Sequence, residues 1–290
     1  MTTIQAFIQR HPVLTYFALV FAISGGGVFI VLGPGGLPMT AEKFETISLS
    51  ALMAYLAGPS VAGILLTVLV SGRAGLREFL SRLLRWRVGV CWYAIALLTA
   101  PLLATATPLA LSLFSREFLP AIFTTDDLIA PLLSGITAGL MVGLFEELGW
   151  TGFAIPRMRQ RYGVLTTGLV VGVLWGAWHF PMFWQADSFS GVLPFAILLV
   201  RLFSWLPAYR VLMVWVYDHT GSLLVAVLMH VSLTASMIIT APLALAGVPL
   251  LASILVGAAV WWIVVAVIML ADRGQFARPP LYTEMGATSR

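Results

Sequence analysis

Leu140-Met-Val-Gly-Leu-Phe-Glu146-Glu147-Leu-Gly-Trp-Thr151-Gly-Phe-Ala-Ile155 sets two adjacent carboxylates inside an apolar run. Apolar residues extend it back to Ile129 and on to Pro156. The segment is long enough to cross a bilayer, and the glutamates are not at its end. Arg157 marks the edge, eleven residues after Glu146, which puts Glu146 about 16 Å deep at 1.5 Å per residue. A charge at the centre of an isolated membrane helix costs about 3 kcal/mol or more, so such residues mark function by default.

The rest of the chain agrees with lipid as the solvent. Of 290 residues, 60% are hydrophobic and 10% charged, and the mean hydropathy is +0.98. A soluble globule carries about 25% charged residues. Eight apolar runs follow one another, roughly at 14–33, 48–71, 88–114, 129–156, 164–186, 191–216, 222–243 and 248–271. The first is long for a signal peptide, holds Gly25-Gly26-Gly27 and lacks a small-x-small cleavage site, so it reads as a retained span. No repeat or linker divides the chain. The expected fold is all-α: a polytopic integral membrane protein of about eight transmembrane helices, one domain over 1–290, with a buried catalytic cavity. The single cysteine, Cys91, excludes an intramolecular disulfide and a cysteine-based metal site.

Basic residues give the orientation. With the N-terminus inside, the inner segments hold Arg10, Arg73, Arg77, Arg82, Arg85, Arg87, Arg157, Arg159, Arg161, Arg210, Arg273, Arg278 and Arg290, whereas the outer loops hold Lys43 and Arg116. The outer loops carry Glu42, Glu45, Glu117, Asp126, Asp127 and Asp187. Both termini are therefore expected in the cytoplasm. This clustering belongs to topology and does not point to nucleic acid. Within 76–87, Leu76, Leu80, Leu83 and Leu84 recur at helical spacing with Arg77, Arg82 and Arg85 on other faces. That pattern predicts an amphipathic helix on the cytoplasmic membrane surface, serving as a basic anchor. Arg201 lies about ten residues into the sixth run, where it either snorkels or pairs with a carboxylate such as Glu147.

Two histidines fall within spans at depths comparable to the glutamates: His179 in Trp175-Gly-Ala-Trp-His179 and His230 in Leu228-Met-His230-Val-Ser-Leu-Thr234. A carboxylate held away from water can take and return a proton near neutral pH. One imidazole can hold the attacking water and the other can donate to the oxyanion. The set suits amide hydrolysis inside a membrane. Three other readings stay open: helix-to-helix hydrogen bonding, a proton or small-solute pathway, and a divalent metal on Glu146, His179 and His230. His-Glu-x-x-His spacing is absent, so no metal or other cofactor is expected. Trp175 reads equally well as core packing or as a wall of the site.

At these residues the sequence resembles the CAAX protease and bacteriocin-processing family of glutamate-dependent intramembrane endopeptidases, which includes the type II CAAX prenyl endopeptidases. That family carries Glu-Glu-x-x-x-Arg, Phe-x-x-x-His and His-x-x-x-Asn in this order on three membrane helices. Here Glu146-Glu147-Leu-Gly-Trp-Thr151, Trp175-Gly-Ala-Trp-His179 and His230-Val-Ser-Leu-Thr234 correspond, within a motif core at 129–243. Tyr217-Asp-His-Thr-Gly-Ser-Leu-Leu224 also looks like the run before the family's last motif. The resemblance implies that Glu146 activates water with His179, that His230 stabilises the oxyanion, and that Glu147 orients the site. Trp replaces the family Phe at Trp175, Thr151 replaces its Arg and Thr234 its Asn. Thr151 can hydrogen-bond Glu147 but cannot neutralise it, and Thr234 offers one donor where Asn offers two.

The expected activity is that of an intramembrane endopeptidase, a hydrolase of a kind often classed with metalloendopeptidases. Its expected partners are membrane lipid and a peptide or protein substrate, for which the CAAX likeness suggests a lipidated C-terminus. The expected location is a bacterial cytoplasmic membrane. The alternatives are a non-catalytic bacteriocin-immunity or chaperone member of the same fold, and a proton or small-solute transporter.

Overall fold

The computed structural model describes residues 3–33, 37–38, 49–242 and 245–272. The expectations for Glu42, Lys43, Glu45, Arg273, Arg278 and Arg290 lie outside these residues. The helices are α1 (Thr3–Arg10), α2 (Pro12–Leu32), α3 (Leu49–Leu83), α4 (Val90–Ser112), α5 (Ile129–Gly149), α6 (Ile155–Arg159), α7 (Val164–Trp178), α8 (Phe180–Phe183), α9 (Val192–Phe203), α10 (Leu206–Thr220), α11 (Leu223–Thr240) and α12 (Gly247–Ala271). A single π-helical turn, Trp150–Ala154, joins α5 to α6.

The protein is an all-helical integral membrane protein. Among the described residues seven helical stretches are long and apolar enough to cross a membrane, the fourth being Ile129–Arg159 and the fifth Val192–Thr220. Eight were expected, and the run at 164–186 makes the difference. Its helix, α7, is 15 residues long. That is about 22 Å, short of a hydrocarbon core of about 30 Å. The chain turns at His179 because Pro181, in the first turn of α8, cannot extend the α7 hydrogen-bond ladder.

Two glycine rows set the packing around the glutamates. Gly135, Gly139 and Gly143 lie four apart on α5, and side chains at that spacing share one face. They let α5 lie almost backbone to backbone on α11: a Cβ at Gly139 would stand 2.7 Å from the Val231 carbonyl oxygen, and one at Gly143 would stand 2.9 Å from the Val231 nitrogen. The next two steps of this row are Glu147 and Thr151, so the row that seats α5 on α11 also aims Glu147 at α11. A second row, Gly168, Gly172 and Gly176 on α7, admits the backbone of Val211, Pro207 and Leu202 at 2.5, 2.4 and 2.0 Å from the corresponding Cβ positions. It presses α7 onto α10. Association of membrane helices through small residues at this spacing rests on close van der Waals contact.

Gly139→Ala should therefore lower the thermal unfolding midpoint in detergent, by an overpacking cost of about 1–3 kcal/mol. Gly257→Ala on α12 is the control, since a Cβ there meets nothing within 4 Å. Equal midpoints for the two variants would refute the close-contact account.

The segment at 76–87 packs one of its faces on the protein. It is helical to Leu83, beyond a kink at Gly72, whose φ of 56° suits glycine. Its Phe79 and Arg82, on the face that continues from Gly75, turn into the protein, while Leu80 and Leu84 stay exposed. Phe79 packs at Gly152. Arg82 donates to the Gly152 carbonyl at 3.2 Å and to the Tyr217 hydroxyl at 2.9 Å. Arg159 and Arg210 were also read as inner-segment cations, yet both are buried. Arg159 grips Asp218 with two bonds of 2.8 Å.

Candidate active site

Glu146 and Glu147, adjacent in sequence, have different surroundings. Both are buried, at 1% and 0% exposure. Glu147 is saturated. Its Oε1 accepts from Arg210 Nη1 at 2.8 Å and from His230 Nδ1 at 2.7 Å, and its Oε2 accepts from Arg210 Nη1 at 3.0 Å and from the Thr151 hydroxyl. A buried carboxylate with a guanidinium and two further donors is neutralised and fixed in place. Glu146 has no cation among its hydrogen-bond partners. Its Oε2 accepts two indole N–H groups, Trp150 Nε1 at 3.1 Å and Trp175 Nε1 at 2.6 Å. Both bonds fall on that one oxygen.

Trp175 ties the cluster together while buried in the hydrophobic core. Its ring meets those of His179 and His230 edge to face, each with centroids 5.3 Å apart. The Arg210 guanidinium lies over the same ring, 4.2 Å from its centroid. This contact follows from the α7–α10 glycine row, which brings the two backbones together beside Trp175. A cation over a desolvated indole adds about 2 kcal/mol.

Both imidazoles are oriented through Nδ1. His179 Nδ1 is 2.8 Å from the Trp175 carbonyl oxygen, which only accepts, so Nδ1 carries the hydrogen and the neutral ring presents Nε2 as an acceptor. His230 Nδ1 faces the Glu147 carboxylate, which fixes the same nitrogen as donor. The neighbour of His179 is locked from the far side: Trp178 stacks on Tyr55 at 4.1 Å and donates to Ser24 Oγ at 2.9 Å. Tyr55 in turn donates to the Trp178 carbonyl.

Of the sequence-predicted residues, the structure thus gathers Glu146, Glu147, Thr151, Trp175, His179 and His230 into one connected group. Thr234 makes no side-chain hydrogen bond among the described residues and stays outside this network. Among the described residues no three His, Cys, Asp or Glu side chains are grouped so as to hold a metal ion.

Two cavities flank the cluster, and none of these three residues lines either. One is a cleft of about 760 Å³ reaching Arg157 and Arg161. The other is a pocket of about 410 Å³ that includes Ala177, Trp178 and Phe180, the neighbours of His179.

Arg210 is the member of the cluster that sequence reasoning did not single out. Counted with the cytoplasmic cations, it sits wholly buried on α10, where it supplies the charge that Thr151 lacks. A signal for it existed: Arg210 falls within the apolar run at 191–216, where a cation is as costly as the glutamates. Arg201 was the candidate considered for that pairing. It lies instead with its guanidinium 5.7 Å from the centre of the Phe183 ring.

Fold and cluster together define a polytopic helical membrane protein with an ionisable site built into its bundle. Residues 128–236 match the family model described as Type II CAAX prenyl endopeptidase Rce1-like. Over 77 residues the chain is 30% identical to the protein named CAAX prenyl protease 2 of Methanococcus maripaludis, a match covering 27% of this chain and 23% of that relative. The chain thus spans about a quarter of the length of the curated relative it matches. The family resemblance carried by the three motifs is borne out, and the matched region contains every residue of the cluster.

Proposed function

We propose that this protein is a CAAX-processing-like intramembrane endopeptidase that hydrolyses a peptide bond with water activated by Glu146. The observation that carries the reading is the asymmetry of the two carboxylates. Glu147 is consumed by Arg210, His230 and Thr151, whereas Glu146 keeps one oxygen clear of both indole donors. Glu146 is the carboxylate able to accept a proton.

In this mechanism the lone pair on His179 Nε2 holds one hydrogen of the water. Glu146 takes the other as the water oxygen attacks the amide carbon. His230, held at Nδ1 by the Glu147 carboxylate, is the group that stabilises the oxyanion. Collapse breaks the C–N bond, and Glu146 returns its proton to the leaving amine. Acid–base transfer and oxyanion stabilisation of this kind contribute about 10²–10⁴-fold and 10²–10³-fold respectively. The apolar pocket beside His179, with Phe195 and Phe203 in its wall, suits an apolar or lipid-bearing residue of the substrate. Both termini are assigned to the cytoplasmic side on the basic-residue bias.

The test is cleavage of a library of lipidated C-terminal peptides by the purified full chain in detergent, read by mass spectrometry. We expect discrete endoproteolytic products whose yield is unchanged after chelation, with substoichiometric metal in the active protein. A stoichiometric metal whose removal stops cleavage and whose return restores it would move Glu146, His179 and His230 to ligand roles. The nearly complete burial of Glu146 favours one second reading, a non-catalytic member of the same fold. In that case no library member is cut.

A further inference from the structure

The cleft of about 760 Å³ lies between the start of α2, the second half of α3, and the α6–α7 corner. Its charge is one-sided. Arg10, Arg82, Arg157 and Arg161 line it, against a single carboxylate, Glu78. Glu78 is already paired with Arg82 at 3.6 Å. Among the described residues Arg10, Arg157 and Arg161 form no ion pair. Arg157 is nevertheless held still: it donates to the Phe153 carbonyl at 3.2 Å and to Ser71 Oγ at 3.1 Å, and its guanidinium lies 3.7 Å from the centre of the Phe153 ring. Those two bonds use two of its five N–H donors.

The cleft is also polarised along the helices. Arg161 stands just before α7, and Val170 and Leu174 line the same cleft further along that helix. From Val164 to Leu174 the helix rises about 15 Å. Arg10 ends α1 and Phe17 lies within α2, both lining the same cleft. Val170 is 42% exposed on a helix of a membrane protein, so this wall opens toward lipid. Cations at one end and an apolar lipid-facing wall at the other match an anionic amphiphile. None of Glu146, His179 and His230 lines the cleft, which separates it from the cluster.

We infer that this cleft is a binding site for an anionic phospholipid of the surrounding bilayer, with its phosphate held by Arg157 and Arg161 and its acyl chains along Phe17, Val170 and Leu174. The probe is short-chain phosphatidylglycerol, titrated onto the purified full chain in detergent and read by the thermal unfolding midpoint. Short-chain phosphatidylcholine and inorganic phosphate are titrated in parallel. We expect a saturable upward shift with phosphatidylglycerol alone.

A basic residue near an anionic lipid surface contributes about 1 kcal/mol, so Arg161→Gln should weaken half-saturation about fivefold and Arg157→Gln with Arg161→Gln about thirtyfold. Arg161 is exposed, which keeps the single variant informative where the double variant folds poorly. Arg73→Gln with Arg77→Gln removes the same charge outside the cleft and should leave half-saturation unchanged. The assignment fails where that control weakens binding as much, or where phosphatidylcholine binds equally. It fails too where inorganic phosphate saturates the site as the lipid does, or where a peptide's C-terminal carboxylate displaces the lipid.

Discussion

A Glu146→Gln protein should insert and purify like the wild type and cleave about 10²–10⁴-fold more slowly. The substitution suits this site. Glu146 meets its two indole donors through Oε2 alone, so the Gln carbonyl can take over both bonds while the amide occupies the position of Oε1. Shape and hydrogen bonding survive, and the ability to accept a proton does not. His179→Ala should cost a comparable factor by removing the Nε2 lone pair. Thr234→Ala should cost less, since Thr234 lies outside the connected network. A Gln variant that cuts at the wild-type rate would end the mechanism and promote the non-catalytic reading.

The largest effect on stability is expected at Arg210. Arg210→Met leaves the fully buried Glu147 without its cation, and breaking one side of such a pair costs about 3–5 kcal/mol. The variant should unfold at a clearly lower temperature in detergent, or fail to purify as a single species. Glu147→Gln added to Arg210→Met should recover much of the loss, because the uncompensated charge is gone. Activity should not return with stability, since His230 has lost the carboxylate that orients its ring. An Arg210→Met protein as stable as the wild type would show that the pair contributes nothing net. A double variant no better than the single one would show that packing of the guanidinium on Trp175 matters more than the charge.

Much of this was legible from the residues. Hydropathy gave the helices and their order, because a bilayer imposes one length and one polarity on every span. The cost of intramembrane charge singled out Glu146, Glu147, His179 and His230, and three of these are almost fully buried. Three features escaped. The end of α7 at His179 depends on Pro181, which hydropathy averages away. Arg82 and Arg210 look like loop cations to a rule that counts charge by segment, and only the packing of Phe79 on Gly152 and of α7 on α10 turns them inward. The glycine rows at 135, 139 and 143 and at 168, 172 and 176 were readable as spacing. Which helix each row seats against is a tertiary fact, and that fact carries Glu147 to His230 and Arg210 to Trp175.

The Glu147–Arg210 pair changes what inheritance can preserve at this site. The cation comes here from position 210, sixty-three residues from Glu147, where the resembled motif would have it at 151. A lineage passing between the two arrangements must cross an intermediate with no arginine or with two. With none, Glu147 is stranded, at the cost estimated above for Arg210→Met. With two, the carboxylate stays paired, and the surplus guanidinium is itself a buried charge that must find acceptors. A search for Glu-Glu-x-x-x-Arg alone passes over a chain whose cation comes from position 210.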